Sequence, residues 1–293
     1  MTSSLPDQAD GTAVCYRHHN RPTAVRCSNC DRPICADCMR STPVGFRCPE
    51  CAPTSSFVLA DDLLVTKAIV ALNVLVFLVG IGLQVGNGAA PGIMGVGGGN
   101  ELINRGALVT NLVEQGEWWR IFTSGFLHAG LLHIGLNMFF VWSFGGLLEP
   151  ALGRVRFALL YTIGIIGGAI GAMLLSAPNV ATVGASGAGF SLLGAALVMA
   201  RLRGHSELAS NLLMIAAINF AFTFYAAGIS VGGHLGGFVV GLVTGLVAYG
   251  PFARKPQAIT IVYTVMAVVL FGVAIYVADI RAATVISAQP FIQ

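Results

Sequence analysis

Between Leu64 and Ala278 the chain carries seven apolar stretches, at about 64–84, 119–144, 155–176, 185–203, 208–227, 232–250 and 258–278. Each is close to the ~20 residues that an α-helix needs to cross a bilayer. A backbone in lipid must satisfy its own polar groups, so such stretches read as spanning helices. The composition agrees, with 55% hydrophobic residues, 10% charged residues and a mean hydropathy of +0.78 over 293 residues. The expected fold class is an all-α polytopic membrane protein, preceded by a small domain of different composition. A net charge of +3, with basic residues scattered, gives no footprint for nucleic acid.

Met1 to Phe57 contains no apolar core of signal-peptide length, so the N-terminus is expected in the cytosol. That orientation puts Arg154, Arg156, Arg201, Arg203, Arg254 and Lys255 on inside connections and Lys67 at the start of the first span. Only Arg105, Arg120 and Arg281 are left outside, in keeping with the positive-inside rule. A plasma (inner) membrane is the expected location.

All seven cysteines lie between Cys15 and Cys51, as Cys15-x2-His18, Cys27-x2-Cys30, Cys35-x2-Cys38 and Cys48-x2-Cys51. Each two-residue gap lets a short turn point two donors at one metal, and four such pairs suffice for two tetrahedral Zn2+ ions. A disulfide framework needs an oxidising compartment and leaves one cysteine over. His19 is an alternative to His18, and sequential pairing an alternative to interleaved pairing. Eight protein ligands leave no coordination position for water, so this head is expected to bind or position something and not to catalyse. The order of the pairs resembles a B-box-like cross-braced zinc finger. That resemblance implies one site from Cys15, His18, Cys35 and Cys38 and another from Cys27, Cys30, Cys48 and Cys51.

The stretch Val183-Gly184-Ala185-Ser186-Gly187-Ala188-Gly189-Phe190 sets one hydroxyl between glycines at the start of the fourth span. Such a serine is a candidate nucleophile, because small neighbours let backbone N–H groups approach a reacting carbonyl; the same residues also serve simply as close packing between membrane helices. His234 begins the sixth span. In the orientation above, both helices enter from outside, so serine and histidine sit at similar depth. Gly233, Gly237, Gly241 and Gly245 recur every four residues on the sixth span, and Gly184, Gly187 and Gly194 are expected to serve similarly on the fourth, so the two helices are expected to touch. Trp118-Trp119-Arg120, His128, His133 and Asn137 are assigned to the second span. His133 and Asn137, at i and i+4, share a face and could hold an oxyanion together with the Ser186 N–H.

From Val155 to Ala278 the only acidic residue is Glu207, on an inner connection. No carboxylate is available to orient His234, so the nucleophile logic is a Ser–His dyad. The same absence excludes an intramembrane aspartyl protease, and no His-Glu-x-x-His signals a zinc protease.

Trp119-Arg120, His133-x3-Asn137, Gly184-Ala185-Ser186-Gly187 and Gly233-His234-x2-Gly237-x3-Gly241, in this order, resemble the rhomboid family of intramembrane serine proteases over roughly Thr66 to Gly250. The resemblance implies a six-helix core plus one C-terminal transmembrane helix. It implies Ser186 as nucleophile, His234 as general base and then acid, and His133, Asn137 and the Ser186 amide as oxyanion hole. The substrates it implies are transmembrane proteins, cleaved near the outer membrane face with no catalytic cofactor. It places His128 at a family position of less certain role, Glu149 at a structural acidic position and Phe190 beside the catalytic histidine. The connection from Gly86 to Trp118 would lie partly in the outer interface, anchored by Trp119-Arg120.

The domain organisation expected is a flexible terminus at 1–13, a double zinc domain at 14–52, a linker at 53–63, a protease core at 64–250, and a seventh helix with its tail at 251–293. The expected partners are substrate proteins, the lipid bilayer and a cytosolic protein bound by the zinc domain. The alternative from another functional class is a non-catalytic rhomboid-like scaffold that recruits partners through that domain. A transporter would show buried charges or broken helices along a through-pathway, and neither is evident.

Overall fold

A computed structural model describes residues 13–42, 45–51, 63–86, 101–226, 228–250 and 256–288. Nearly all of the expected flexible terminus and linker, part of the Gly86–Trp118 connection, and Arg254 and Lys255 lie outside the described residues. Backbone contacts divide the chain into two units, Met1–Leu59 and Ala60–Gln293.

The small unit is built from turns. An antiparallel hairpin pairs β1 (Arg40–Thr42) with β2 (Gly45–Arg47), and isolated bridges join Val14 to Pro22 and Arg26 to Pro33. Its buried core is five cysteines and Ile34. One hydrocarbon side chain is far too little apolar area to offset the chain entropy of about 35 residues, so cross-linking has to supply the rest.

In the large unit α1 (Leu64–Gly86) is followed by three short helices, α2 (Glu101–Gly106), α3 (Thr110–Glu114) and α4 (Arg120–Thr123). Then come α5 (Leu131–Leu152), α6 (Arg154–Leu175), α7 (Ser186–Leu202), α8 (Ser206–Tyr225), α9 (Val231–Tyr249) and α10 (Pro256–Ala288). Six helices among the described residues are long and apolar enough to cross a membrane. The protein is a multi-pass membrane protein. The seventh apolar helix, α7, has only 17 residues. At 1.5 Å per residue it is about 25 Å long, against the ~30 Å of a hydrocarbon core.

The expected second span at 119–144 is not one helix. The helix α4 ends at Thr123, Leu127 and Gly130 are extended, and the spanning helix begins at Leu131 and runs to Leu152. Arg120 is the physical reason. Its buried guanidinium pairs with Glu117 Oε2 at 2.6 Å and donates to the carbonyls of Asn104 (3.1 Å) and Ala107 (2.8 Å). A chain folded back on itself satisfies that charge; a straight helix in lipid would leave it stranded. The Trp119 indole N–H also donates to the Arg105 carbonyl at 3.2 Å, so Trp119 and Arg120 tie down the end of the connection after α1. Arg120→Ala is expected to lower the stability of the membrane unit by about 3 kcal/mol, read as thermal unfolding in detergent, because it orphans Glu117 and two carbonyls.

Helix ends are capped from a distance. The Glu149 carboxylate of α5 accepts from the N–H groups of Val65 (2.9 Å) and Thr66 (2.8 Å) and from the Thr66 hydroxyl (2.6 Å), answering the orphan donors and positive end of α1. Arg281 of α10 donates to the carbonyls of Met173 and Ser176 at the opposite-sign end of α6, both at 3.2 Å.

The centre of the unit is α6 and α7. Of the best spanning window of α6, 67% is buried, against 17% for α1 and α10, which face outward. The glycines of α9 make this packing possible. A Cβ at Gly241 would run into the Ser191 backbone of α7, and one at Gly237 into the Gly187 carbonyl. The expected α7–α9 contact is therefore present. The neighbouring face of α9, Gly232 and Gly236, meets Gly171 and Gly167 of α6 equally closely, which the four-residue spacing did not announce. Gly241→Val is expected to destabilise the unit by about 3 kcal/mol or more, since the obstacle is main chain and cannot rotate away. A wild-type unfolding temperature for that variant would contradict the packing.

Candidate active site

Ser186 is the first residue of α7, and the segment from Ser176 that leads to it is irregular backbone. In a membrane protein irregular backbone is tolerated only against protein or a cavity. Here it has protein on one side and a cavity on the other. Leu108 and Thr182 exchange two main-chain hydrogen bonds of 3.0 and 2.9 Å, and Gly184 N–H donates to the Ser124 carbonyl at 2.9 Å. The segment rims a cavity of about 690 Å³ whose walls include Ser186, His234, His133, Asn137, Phe190 and Thr223. The four residues expected to be catalytic thus line one space.

Each is placed by a local cause. Gly184 has φ +128°, a conformation that favours glycine, and a Cβ there would stand 2.7 Å from His133 Nε2. Glycine at 184 therefore belongs to the turn and the His133 pocket, and not to an α7–α9 contact. Ala129 N–H points at His133 Nδ1 at 3.4 Å, which makes Nδ1 the acceptor and leaves the ring proton on Nε2, the edge against Gly184. Asn137 spends one Nδ2 proton on the His133 carbonyl at 3.1 Å and keeps the other. The unpaired N–H groups of the first turn of α7 complete a set of donors around Ser186.

His234 stands in the first turn of α9, whose N-cap Ser230 accepts from Gly233 N–H at 3.0 Å. The main chains of α7 and α9 touch at Gly187 and Gly237, and this crossing sets Ser186 and His234 on adjacent helix ends. Phe190 stacks on the imidazole with centroids 4.1 Å apart and planes 19° apart. Thr223 Oγ1 lies 2.7 Å from His234 Nδ1, so the histidine has a neutral partner where no carboxylate was expected. Its signal was present in the sequence, since Asn219 and Thr223, at i and i+4, are the polar residues of the otherwise apolar stretch 212–224.

His128 does not line the cavity. It is 2% exposed, packs edge-on against His133 with centroids 5.1 Å apart, and its Nε2 stands 3.5 Å from the Ala185 N–H. Its place is behind the His133 wall of the cavity, as support.

In the small unit the donor atoms of Cys15, His18, Cys35 and Cys38 lie within 4.8 Å of one another, as do those of Cys27, Cys30, Cys48 and Cys51. The pairs are therefore interleaved. His18 turns Nδ1 to the cluster, 3.3 Å from both Cys35 Sγ and Cys38 Sγ, so His18 and not His19 faces it. Cys30 Sγ and Cys48 Sγ are 3.8 Å apart. A tetrahedron with metal–sulfur bonds of ~2.3 Å has edges of roughly that length, so both clusters fit a tetrahedral ion. Burial pushes the Cys15 thiol up, but main-chain hydrogen bonds from Cys35, Arg17 and His18 outweigh it and bring it to about 6, and Cys27 reaches about 6 in the same way. Burial and the neighbouring thiols push Cys38 up to about 11 and, against a main-chain hydrogen bond from Arg32, push Cys30 up to about 12; a bound cation would relieve the repulsion between thiolates. Thiolates are the ligand form.

Comparison with known proteins matches residues 115–251 to the Rhomboid domain. The chain carries a rhomboid domain. Among its relatives, the rhomboid protease GluP of Bacillus subtilis is 33% identical over 172 residues, 58% of this chain and 32% of that protein. The putative rhomboid protease YdcA of the same organism is 36% identical over 128 residues, 42% of this chain and 63% of the relative. Rhomboid-like protease 1 of Toxoplasma gondii is 32% identical over 142 residues, 46% and 48% of the two chains. The matched stretch thus spans about a third of the first relative and under two thirds of the second. The rhomboid domain begins before α4 and ends after α9, so it takes in all the cavity residues named above and leaves out α1, α10 and the small unit.

Proposed function

We propose that the protein is an intramembrane serine endopeptidase acting on transmembrane proteins. The observation that carries this reading is the convergence of Ser186, His234, His133 and Asn137 on one cavity inside a rhomboid domain. In the proposed reaction Ser186 Oγ adds to a peptide carbonyl as its proton passes to His234 Nε2. The tetrahedral oxyanion accepts from His133 Nε2–H, the free Asn137 Nδ2–H and the Ser186 N–H. His234 then gives the proton to the departing amine, leaving an acyl-enzyme, and takes one from the water that hydrolyses it. A substrate helix has its carbonyls already bonded, so the cleaved segment must unwind first; sites with small or helix-breaking residues are favoured.

The placement of basic residues supports a cytosolic N-terminus, which puts the cavity mouth and the cleavage site on the extracytoplasmic side of a plasma membrane. For the small unit the donor chemistry, three thiolates with one imidazole and four thiolates, supports two structural Zn2+ ions, held by the interleaved sets named above. The domain limits that follow are 14–52 for the zinc domain, 64–250 for the protease core and 251–293 for the last helix and tail.

A serine-directed fluorophosphonate tests the catalytic reading without knowledge of the substrate. The wild-type protein in lipid is expected to label, and Ser186→Ala and His234→Ala not to. Labelling that persists in Ser186→Ala would identify another nucleophile, and a folded wild-type protein that never labels would sink the protease reading.

A further inference from the structure

Among the described residues no carboxylate orients His234, yet its ring is held from two directions. Phe190 lies flat on one face, itself backed by Phe220 with ring centroids 5.0 Å apart. Stacking fixes the plane of an imidazole but not which way round it lies. A half-turn about the Cβ–Cγ bond keeps the plane and puts carbon where each nitrogen was, so a flipped His234 would present Cε1 in place of Nε2. Something has to choose between the two.

Thr223 makes that choice. Its side chain, 2% exposed near the end of α8, sets Oγ1 2.7 Å from His234 Nδ1 and 2.7 Å from the Asn219 carbonyl oxygen. A hydroxyl carries one proton, and a carbonyl only accepts. Both contacts are hydrogen bonds in one assignment alone, in which Thr223 donates to Asn219 and accepts from a proton on His234 Nδ1. Neutral imidazole with its proton on Nδ1 carries its lone pair on Nε2, the form a general base requires. The alternative, with Thr223 donating to Nδ1, would put the ring proton on Nε2 and forfeit the bond to Asn219.

We propose that Thr223 is a positioning residue for His234. Resting on the reading of Ser186 and His234 as nucleophile and base, it holds the imidazole in the Nδ1–H tautomer and one flip state through the chain Asn219 carbonyl, Thr223 hydroxyl, His234. The geometry is the part an aspartate plays in a Ser-His-Asp triad, with one difference of degree. A hydroxyl orients the ring but adds no negative charge to stabilise the imidazolium, so its removal should be felt far less than the ~10⁴-fold loss seen when an aspartate is changed. A neutral relay also suits the depth of α8, where a carboxylate would have to be desolvated.

The test uses the full chain in lipid nanodiscs, with Thr223→Val removing the hydroxyl at nearly constant shape and Thr223→Ser restoring it. The fluorophosphonate is the probe. For Thr223→Val the labelling rate at saturating probe is expected to fall about tenfold, the worth of one hydrogen bond, with the half-saturating probe concentration unchanged. For Thr223→Ser it is expected to stay within about twofold of wild type. In parallel, 15N spectra of histidine-labelled protein, which has six histidines, identify His234 by its loss in His234→Ala. The wild-type ring is expected to carry its proton on Nδ1, and Thr223→Val to shift it toward a mixture of tautomers. Thr223→Val labelling at the wild-type rate would overturn the proposal, as would a serine variant that fails to rescue or a wild-type His234 protonated on Nε2. If the wild type does not label at all, the protease reading fails by itself, while the tautomer still decides the role of Thr223.

Discussion

Ser186→Ala, His234→Ala and the double variant are expected to lose turnover by the same factor, about 10⁴ or more. Groups that act as a unit are not additive: once the nucleophile is gone the base has no proton to take, and without the base the serine hydroxyl stays a poor nucleophile. Residual cleavage would come from binding and from the oxyanion donors alone. The donors themselves make a smaller and separable contribution. Asn137→Ala is expected to cost about 10²-fold in kcat, the usual effect of one oxyanion donor, and to leave fluorophosphonate labelling detectable. The measurement is cleavage of a transmembrane reporter whose scissile segment lies near the extracytoplasmic face. A double variant markedly slower than either single one would show that the two side chains act independently, against a dyad. Reporter cleavage in the cytosolic half would contradict the proposed orientation, in which the Ser186 end of α7 is extracytoplasmic.

Stripping metal is expected to unfold residues 13–51 and leave the membrane unit folded. Ile34 alone among the described hydrocarbon side chains is buried in the small core, whereas the binding of structural zinc to a peptide of this size is worth roughly 10–16 kcal/mol, which no packing here replaces. Metal analysis should find two zinc ions per chain. Cys38→Ser and Cys48→Ser, one from each cluster, should each lower that number. Interleaving adds a consequence, because each ion ties an early pair to a late one; losing either should loosen both loops to protease. Thermal unfolding of the membrane unit should be unchanged by a chelator, since the two units have separate cores. Loss of both together would refute two independently folded units.

Much of this was legible in the residues. Apolar length marked the spanning helices, since lipid forces a backbone of that length to be helical. Cys-x2-Cys spacing marked the metal pairs, because two donors on one tight turn meet one ion. The order of the motifs around Ser186 and His234 brought out the catalytic candidates. Apolar content misread the second span, for Ile121, Phe122 and Leu127 are as hydrophobic as a spanning helix but pack in a folded-back connection held by Arg120. The resemblance left the role of His128 open, and the structure sets it behind the cavity wall. Thr223 was not legible as a partner of His234, because a neutral hydroxyl in an apolar helix carries no charge to mark it.

What the sequence determined by itself, then, was the chemistry available: one serine among glycines, histidines without carboxylates, and helices of countable length. Those are local properties, set by side-chain type and by the rise of a helix. Which thiols share an ion, which face of α9 meets α6 and which meets α7, and which group orients His234 were decided only by tertiary structure. They depend on distances between residues far apart in the chain, as between Thr66 and Glu149 or Leu108 and Thr182. Such distances follow from how closely glycine lets two backbones approach, and spacing along one helix specifies that there is a contact without naming the partner.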